Sequence, residues 1–109
     1  MARDTGLEEL VNDELRSQPG ITEKAMFGGW AWLLHGNLLC GAREGSMLVR
    51  LGKGQDAWAL RRSGITEMRL GGRHMHGWVR ADPRACGNDT LRRKLITSAL
   101  EFVKTLPKK

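Results

Sequence analysis

The sequence has few cysteines and no long apolar run. Its two cysteines, Cys40 and Cys86, are too far apart to form the CxxC spacing of a zinc or redox motif. No stretch approaches the roughly 20 apolar residues of a membrane-spanning helix. The N-terminus "MARDTGLEEL" has no apolar core of signal-peptide length. We therefore expect a cytoplasmic protein with reduced thiols and no membrane partner.

The sequence also lacks the motifs of nucleotide binding and nucleophilic catalysis. The glycine pair in "FGGW" leads into an alternating apolar segment, whereas a phosphate-binding loop precedes a helix. We interpret this pair as a bulge or tight entry into a strand. Cys40 lies in an apolar segment, where a thiol is usually a packing residue, and no serine lies in a nucleophile-elbow pattern. We expect no catalytic residue, no cofactor and no enzymatic activity.

Acidic residues are scarce in the second half of the chain. Residues 61–109 contain twelve Lys or Arg against four Asp or Glu, whereas residues 1–60 contain six against eight. The formal charge of the whole chain is +6. A basic region of this kind could face an anionic partner. The alternative is that these charges belong to a solvated helix face and a basic tail. This alternative is favoured because the excess of positive charge is spread over several predicted elements.

Helices are predicted near both ends of the chain. Thr5 begins "TGLE", a capping box followed by apolar residues at helical spacing, which predicts a helix over about 5–17. Asp56 caps a short helix, "AWALRR". Asn88 or Asp89 caps the last helix. Four residues of its apolar stripe are expected to pack on a sheet: Leu95, Ala99, Phe102 and Leu106.

Five strands are predicted between the terminal helices. From residue 30 the apolar period changes to two, and the turn residues in "HGN" and "REGS" separate three strands. These loops are too short for a crossover, so the strands form an antiparallel meander. "ITEMRL" and "HGWVRA" form a second hairpin. The order α-β-β-β-α-β-β-α predicts an α+β fold with an antiparallel five-stranded sheet and flanking helices, in one domain over residues 1–109.

Two histidines lie two residues apart on a predicted strand. His74 and His76 would project to one side, and such a pair can supply two ligands to a metal ion. A complete site needs further ligands, for which His35 and Cys86 are the only soft candidates. The alternative, which we favour, is that both histidines are polar residues of a half-exposed strand and bind no metal.

The same strand also has a basic and aromatic pattern. Trp78 and Arg80 share the predicted face of the two histidines, and single-stranded nucleic-acid binders combine stacking with phosphate contacts in this way. The alternative places Trp78 in the core, beneath the C-terminal helix. The candidate surface for a protein or nucleic-acid partner consists of Arg69, Arg73, Trp78, Arg80 and Arg93.

Four segments, in order, resemble the TfoX N-terminal domain family, also called TfoX/Sxy. "MFGGWAWLLHGNLLCGA" is similar to the family's MFGG-plus-hairpin opening, and "SMLVRLG" to the strand that follows. "ITEMRLGGRHMHGWVRADP" resembles its later hairpin, and "LRRKLITSALEFVKTLPKK" its closing helix and LPxK tail. Two positions depart from the family pattern. His74 stands where related sequences more often have proline, and His76 where they more often have Arg or Lys.

The resemblance implies a compact antiparallel sheet with flanking helices, and it supplies no catalytic residue. The founding members of the family are bacterial regulators of competence genes. They act with a cyclic-AMP-dependent transcription activator and carry a second, C-terminal domain. We therefore expect a non-enzymatic protein-interaction and regulatory module of single-domain type. The alternative is a small basic protein that binds DNA or RNA.

Overall fold

The computed structural model describes residues 4–26 and 28–109, with Leu70 described by its backbone alone. In these ranges the chain forms α1 (Thr5–Leu15), β1 (Ile21–Met26), β2 (Gly29–Leu34), β3 (Asn37–Arg43), β4 (Ser46–Arg50), α2 (Ala57–Leu60), β5 (Ile65–Leu70), β6 (Arg73–Ala81), α3 (Pro83–Cys86) and α4 (Asp89–Val103). The strands form one sheet in the order β1-β2-β3-β4-β6-β5, and every neighbouring pair is antiparallel. The α+β fold with an antiparallel sheet is confirmed.

The predicted number and order of elements are wrong, because the described chain has six strands and four helices. The prediction omitted β1, whose central residues 22–25 are all exposed, so that no apolar alternation marks them. It also omitted α3, a single turn that follows Pro83. The Asp82 side chain caps this turn by accepting a hydrogen bond from the backbone N of Ala85 at 2.8 Å.

The helix caps differ from the prediction at the N-terminus and agree with it at α4. Asp4, rather than Thr5, caps α1, because its Oδ1 accepts a hydrogen bond from the backbone N of Leu7 at 3.0 Å. Asn88 caps α4 by accepting from the backbone N of Leu91 at 3.1 Å. The side chain of Asp56 makes no such bond at the start of α2.

The glycine pair lies at a hairpin between β1 and β2. Met26 is opposite Gly29 in the register, and Gly28 in the connection has a φ of +72°. A Cβ atom at Gly29 would lie 2.2 Å from the carbonyl oxygen of Ala42 in β3. The pair therefore serves the hairpin and the close approach of β2 to β3, rather than a bulge at the start of β2.

One face of the sheet is covered by α1, α3 and α4. Trp32 of β2 is fully buried beneath this layer, and its indole Nε1 donates a hydrogen bond to Oδ1 of Asn12 in α1 at 2.7 Å. Of the four residues predicted to pack on the sheet from the last helix, two are fully buried and two are partly buried at the margin of the core. The buried pair is Leu95 and Ala99 of α4, and the marginal pair is Phe102 of α4 and Leu106, which lies beyond the end of that helix.

A buried arginine joins three of the helices. Arg92 of α4 is 2% exposed, and its guanidinium donates hydrogen bonds to Glu14 of α1, to the carbonyl of Cys86 at 2.8 Å and to Asp89 at 2.8 Å. Burial by itself would lower the Arg92 pKa, but the bonds to Glu14 and Asp89 raise it above its ordinary value. The guanidinium therefore stays charged and links α1 and the end of α3 to the first turn of α4.

Replacing Gly29 with alanine should destabilise the protein by about 1–3 kcal/mol, because the new methyl group meets a backbone oxygen that cannot rotate away. Gly6→Ala in α1 is the matched control. A Cβ atom at Gly6 would lie 3.6 Å from its nearest neighbour, Oδ1 of Asp4, which is an ordinary contact distance. This change should therefore stabilise the folded protein by about 0.5–1 kcal/mol. Urea denaturation of both variants measures the difference. Equal stabilities would contradict the close approach of β2 and β3.

Arg92→Met should lower the free energy of unfolding by about 3–5 kcal/mol, because it leaves Glu14 and a buried carbonyl without their donor. Arg93→Met, at the exposed neighbouring position, should have a free energy of unfolding within about 0.5 kcal/mol of the parent protein's. Thermal and urea denaturation provide the comparison. If the two variants were equally stable, Arg92 would not join the helices as described.

Candidate functional site

The sheet face opposite the helices carries a row of side chains across β4, β6 and β5. Leu48 in β4 and Arg80 in β6 each lie between two buried neighbours that face the helices. Leu48 is opposite Arg80 in the β4–β6 register, and Thr66 of β5 is opposite Arg80 on its other side. Arg80 and Thr66 are exposed and Leu48 is half-buried, so the described chain leaves this row accessible.

This row belongs to a groove of about 340 Å³, which we call the open-face groove. Arg43 and Ser46 contribute from the β3–β4 hairpin, where they are opposite each other in the register. Among the described residues, the lining consists of Arg43, Ser46, Leu48, Thr66, Glu67, Met68, Arg69 and Arg80. This described lining combines three guanidinium groups, two hydroxyls, one carboxylate and an apolar strip.

Four consecutive residues of β5, 66–69, line the groove. A regular strand would not allow this, because successive side chains point to opposite faces of a sheet. The β5–β6 register explains the exception: Met68 alone faces residues 75–78 of β6, between the pairs Glu67↔Val79 and Arg69↔His74. This bulge shifts the register beyond Glu67 and turns the distal part of the hairpin, which carries Arg69 to the rim of the groove.

Gly77 holds the bulge against the segment that follows β4. Its carbonyl accepts hydrogen bonds from the backbone N atoms of Leu51 at 2.8 Å and Gly52 at 3.0 Å. Its φ is +85°, and a Cβ atom there would lie 2.6 Å from backbone atoms of Gly52 and Lys53. The shape of the groove rim therefore depends on a glycine that itself lies outside the groove.

Two of the three groove arginines have no acidic partner. Arg69 lies 3.5 Å from Glu67, whose other carboxylate oxygen is 3.7 Å from Nε2 of His74. The guanidinium groups of Arg43 and Arg80 form no hydrogen bond or ion pair with any residue in the described ranges. Their exposed guanidinium groups can each bind a carboxylate or a phosphate in a bidentate manner. The groove therefore has unused capacity for an anion.

The predicted partner surface is not brought together as one patch. Arg69 and Arg80 line the groove, whereas Arg73 is exposed at the start of β6 outside the lining. Arg93 lies in the helix layer, where it lines a separate cleft with Asp13 of α1. Two of the five predicted residues therefore contribute to the groove, together with lining residues that the sequence analysis did not single out.

Trp78 is half-buried and lies outside the groove lining. The guanidinium carbon of Arg50 is 5.7 Å from the centre of its ring and 5.6 Å from the ring of Phe102 in α4. Nη1 of Arg50 also donates a hydrogen bond to the carbonyl of Leu38 at 3.3 Å. The indole ring therefore already has a cation as a neighbour.

His74 and His76 form a pair, with ring centres 4.1 Å apart and planes tilted by 46°. Within the described part of the chain, no group of three or more His, Cys, Asp or Glu residues is arranged to hold a metal ion. Cys86, one of the soft ligands considered from the sequence, is buried with its Sγ 3.5 Å from the carbonyl of Ala81. The structure thus shows the pair without a third ligand.

Both cysteines are free and buried in the core. Burial raises the pKa of the Cys86 thiol to about 12, with smaller opposing contributions from its neighbours. Burial, assisted by the charge of Glu14, raises the Cys40 pKa even further. At neutral pH neither side chain provides the thiolate that a nucleophile or a metal ligand requires.

The fold and the groove together define an α+β protein with helices on one face of its sheet and, in the described chain, an accessible basic groove on the opposite face. The TfoX N-terminal domain family matches residues 13–103, and the chain belongs to this family. The match includes every residue of the groove. No curated protein and no solved structure matches the chain. Within the described ranges, no helix has the length and apolar character needed to cross a membrane.

Both native thiols should resist alkylation by iodoacetamide at about pH 8, because they are buried and protonated. After unfolding in urea, both should react. Ser63→Cys, at an exposed position, is the control and should be modified quickly in the folded protein. Mass spectrometry counts the adducts. Fast modification of Cys40 or Cys86 under native conditions would contradict their placement in the core.

Proposed function

We propose that this protein is a non-enzymatic regulatory module that binds a protein partner through the open-face groove. The observation that carries the proposal is the accessible row of Leu48, Arg80 and Thr66 on a sheet whose other face is covered by helices. An accessible sheet face with both apolar and unpaired charged side chains has the character of an interaction surface. Membership of the TfoX N-terminal domain family supports a regulatory role.

The chemistry of the groove supports binding rather than catalysis. In the described ranges, neither the Ser46 nor the Thr66 hydroxyl is hydrogen-bonded to a histidine or a carboxylate that could activate it. The groove instead offers fixed positive charge and an apolar strip, which favour recognition. By analogy with the family's founding members, we place this activity in the bacterial cytoplasm and in the control of gene expression.

Nucleic-acid binding is the second candidate function. Arg43, Arg69 and Arg80 on one sheet face favour it, because guanidinium groups bind phosphates well. Sheet faces that bind single strands also offer aromatic rings for stacking. Among the residues that the structure describes, no aromatic ring lines the groove, and Trp78 already neighbours a guanidinium group. We therefore favour a protein partner.

A photo-crosslinking amino acid placed at Thr66 tests the proposed function in a lysate of the native cell. Thr97, exposed on α4 beside Arg93, is the matched control position. We expect Thr66 to form a discrete protein adduct that survives nuclease treatment and that Thr97 does not form.

The crosslinking result separates the two candidate functions. Adducts that disappear after nuclease treatment would support the nucleic-acid alternative and contradict a protein partner. Absence of an adduct at Thr66, or the same adducts at both positions, would contradict the groove as the binding surface. A thermal melt of each variant verifies that it is folded.

A further inference from the structure

We infer that the open-face groove binds an extended peptide segment of the partner in which acidic and apolar residues are combined. This inference rests on the proposed function, because it specifies the chemistry of the segment that occupies the same groove. It is carried by three features of the groove: its unpaired arginines, the spacing of its charges and its apolar strip.

The charges of the groove favour carboxylates. Arg43 and Arg80 have no acidic partner in the described chain, and both are exposed. Glu67, the one carboxylate among the described lining residues, already faces Arg69 and His74. A carboxylate of the partner can accept two parallel hydrogen bonds from one guanidinium, which gives both attraction and orientation.

The arginines are distributed across the sheet rather than along one strand. Arg43 lies in β3, Arg80 in β6 and Arg69 in β5, and the sheet order places β4 between the first two. Adjacent strands are about 4.8 Å apart, so the three backbone positions span about 14 Å across the sheet. They are also offset along the strands, because Arg43 is level with Ser46, two residues before Leu48, whereas Arg69 lies three residues beyond Thr66 in the opposite direction. At about 3.3 Å per residue this offset is about 16 Å, so the diagonal from Arg43 to Arg69 is about 22 Å. An extended segment of about seven residues that crosses the strands diagonally can therefore reach all three arginines.

The strip between the charges is apolar. Leu48 is half-buried and Met68 is 5% exposed in the groove lining, while Ser46 and Thr66 contribute short side chains. A polyanion without apolar groups would leave the exposed part of this strip in contact with water. A segment with an apolar side chain between its acidic residues would cover the exposed part of Leu48 and gain the free energy of that burial, whereas Met68 has little surface left to cover.

The same features argue against a nucleic acid as the occupant. The described part of the lining offers no ring that can stack on a base, and the Glu67 carboxylate at the rim repels phosphates. A carboxylate-bearing peptide can be positioned to avoid Glu67 because its charges are separated along the chain. A nucleic acid strand carries a charge at every nucleotide.

The experiment measures fluorescence anisotropy of a labelled synthetic nonapeptide that contains Asp, Glu and two leucines, with the full chain as receptor. We expect Arg43→Gln and Arg80→Gln each to weaken binding about tenfold or more, because each removes a charge-assisted contact. Arg93→Gln, in the helix layer, is the matched control and should leave the affinity unchanged. Thermal melts verify that all variants are folded.

Two altered peptides test the two parts of the inference. Replacing Asp and Glu with Asn and Gln should abolish the dependence on Arg80, and replacing the leucines with serine should weaken binding severalfold. The inference is overturned if the arginine variants bind the parent peptide normally, or if either altered peptide binds as well as the parent.

A labelled single-stranded oligonucleotide provides the competing probe. Three phosphate contacts would give a slope of about two to three in log affinity against log salt, a loss of roughly 20–40-fold between 50 and 200 mM salt. Tighter binding of this probe than of the peptide, with that slope and dependence on Arg80, would overturn the inference. A nuclease-resistant Thr66 adduct without arginine-dependent peptide binding would refute the peptide chemistry alone. Absence of that adduct would refute the proposed function itself.

Discussion

The arrangement of the helices depends on the buried guanidinium of Arg92. A charged group in the core requires partners on several sides, and Arg92 finds them in Glu14 of α1, the carbonyl of Cys86 and Asp89 of α4. The hydrogen bond from Arg92 also holds the pKa of Asp89 below its usual range. These contacts gather the helices on one side of the sheet, and the described chain leaves the opposite side accessible for the open-face groove.

The groove itself depends on the irregular pairing of β5 with β6. Residues 66–69 of β5 all line the groove, and the bulge opposite Met68 interrupts the regular alternation between Glu67 and Arg69. The bulge is held by Gly77, which bonds to the backbone after β4. The segment "HGWV" therefore matters through its glycine, which shapes the rim, as well as through the residues on either side of it.

The parts of the fold that sequence reasoning predicted are those marked by local signals. The cap at Asn88 and the apolar spacing of α4 are local, as are the turns of the meander, and these predictions are confirmed. β1 was missed because an edge strand with exposed central residues has no apolar period. The groove combines residues far apart in the sequence: Leu48 meets Arg80 only because β4 pairs with β6 instead of β5. The buried role of Arg92 likewise could not be read from a segment rich in surface-type charges.

The alternation along β6 separates the residues that form the core from the residue that lines the groove. Val79 and Ala81 are fully buried against the helices, while Arg80 between them faces the groove. A substitution at Arg80 would therefore alter the groove without changing the volume of the core. The same holds for Leu48 between the buried residues of β4. If the groove binds a partner as proposed, substitutions on this face would change the binding preference while one hydrophobic core is retained, and chains that share this architecture would then differ in their partners.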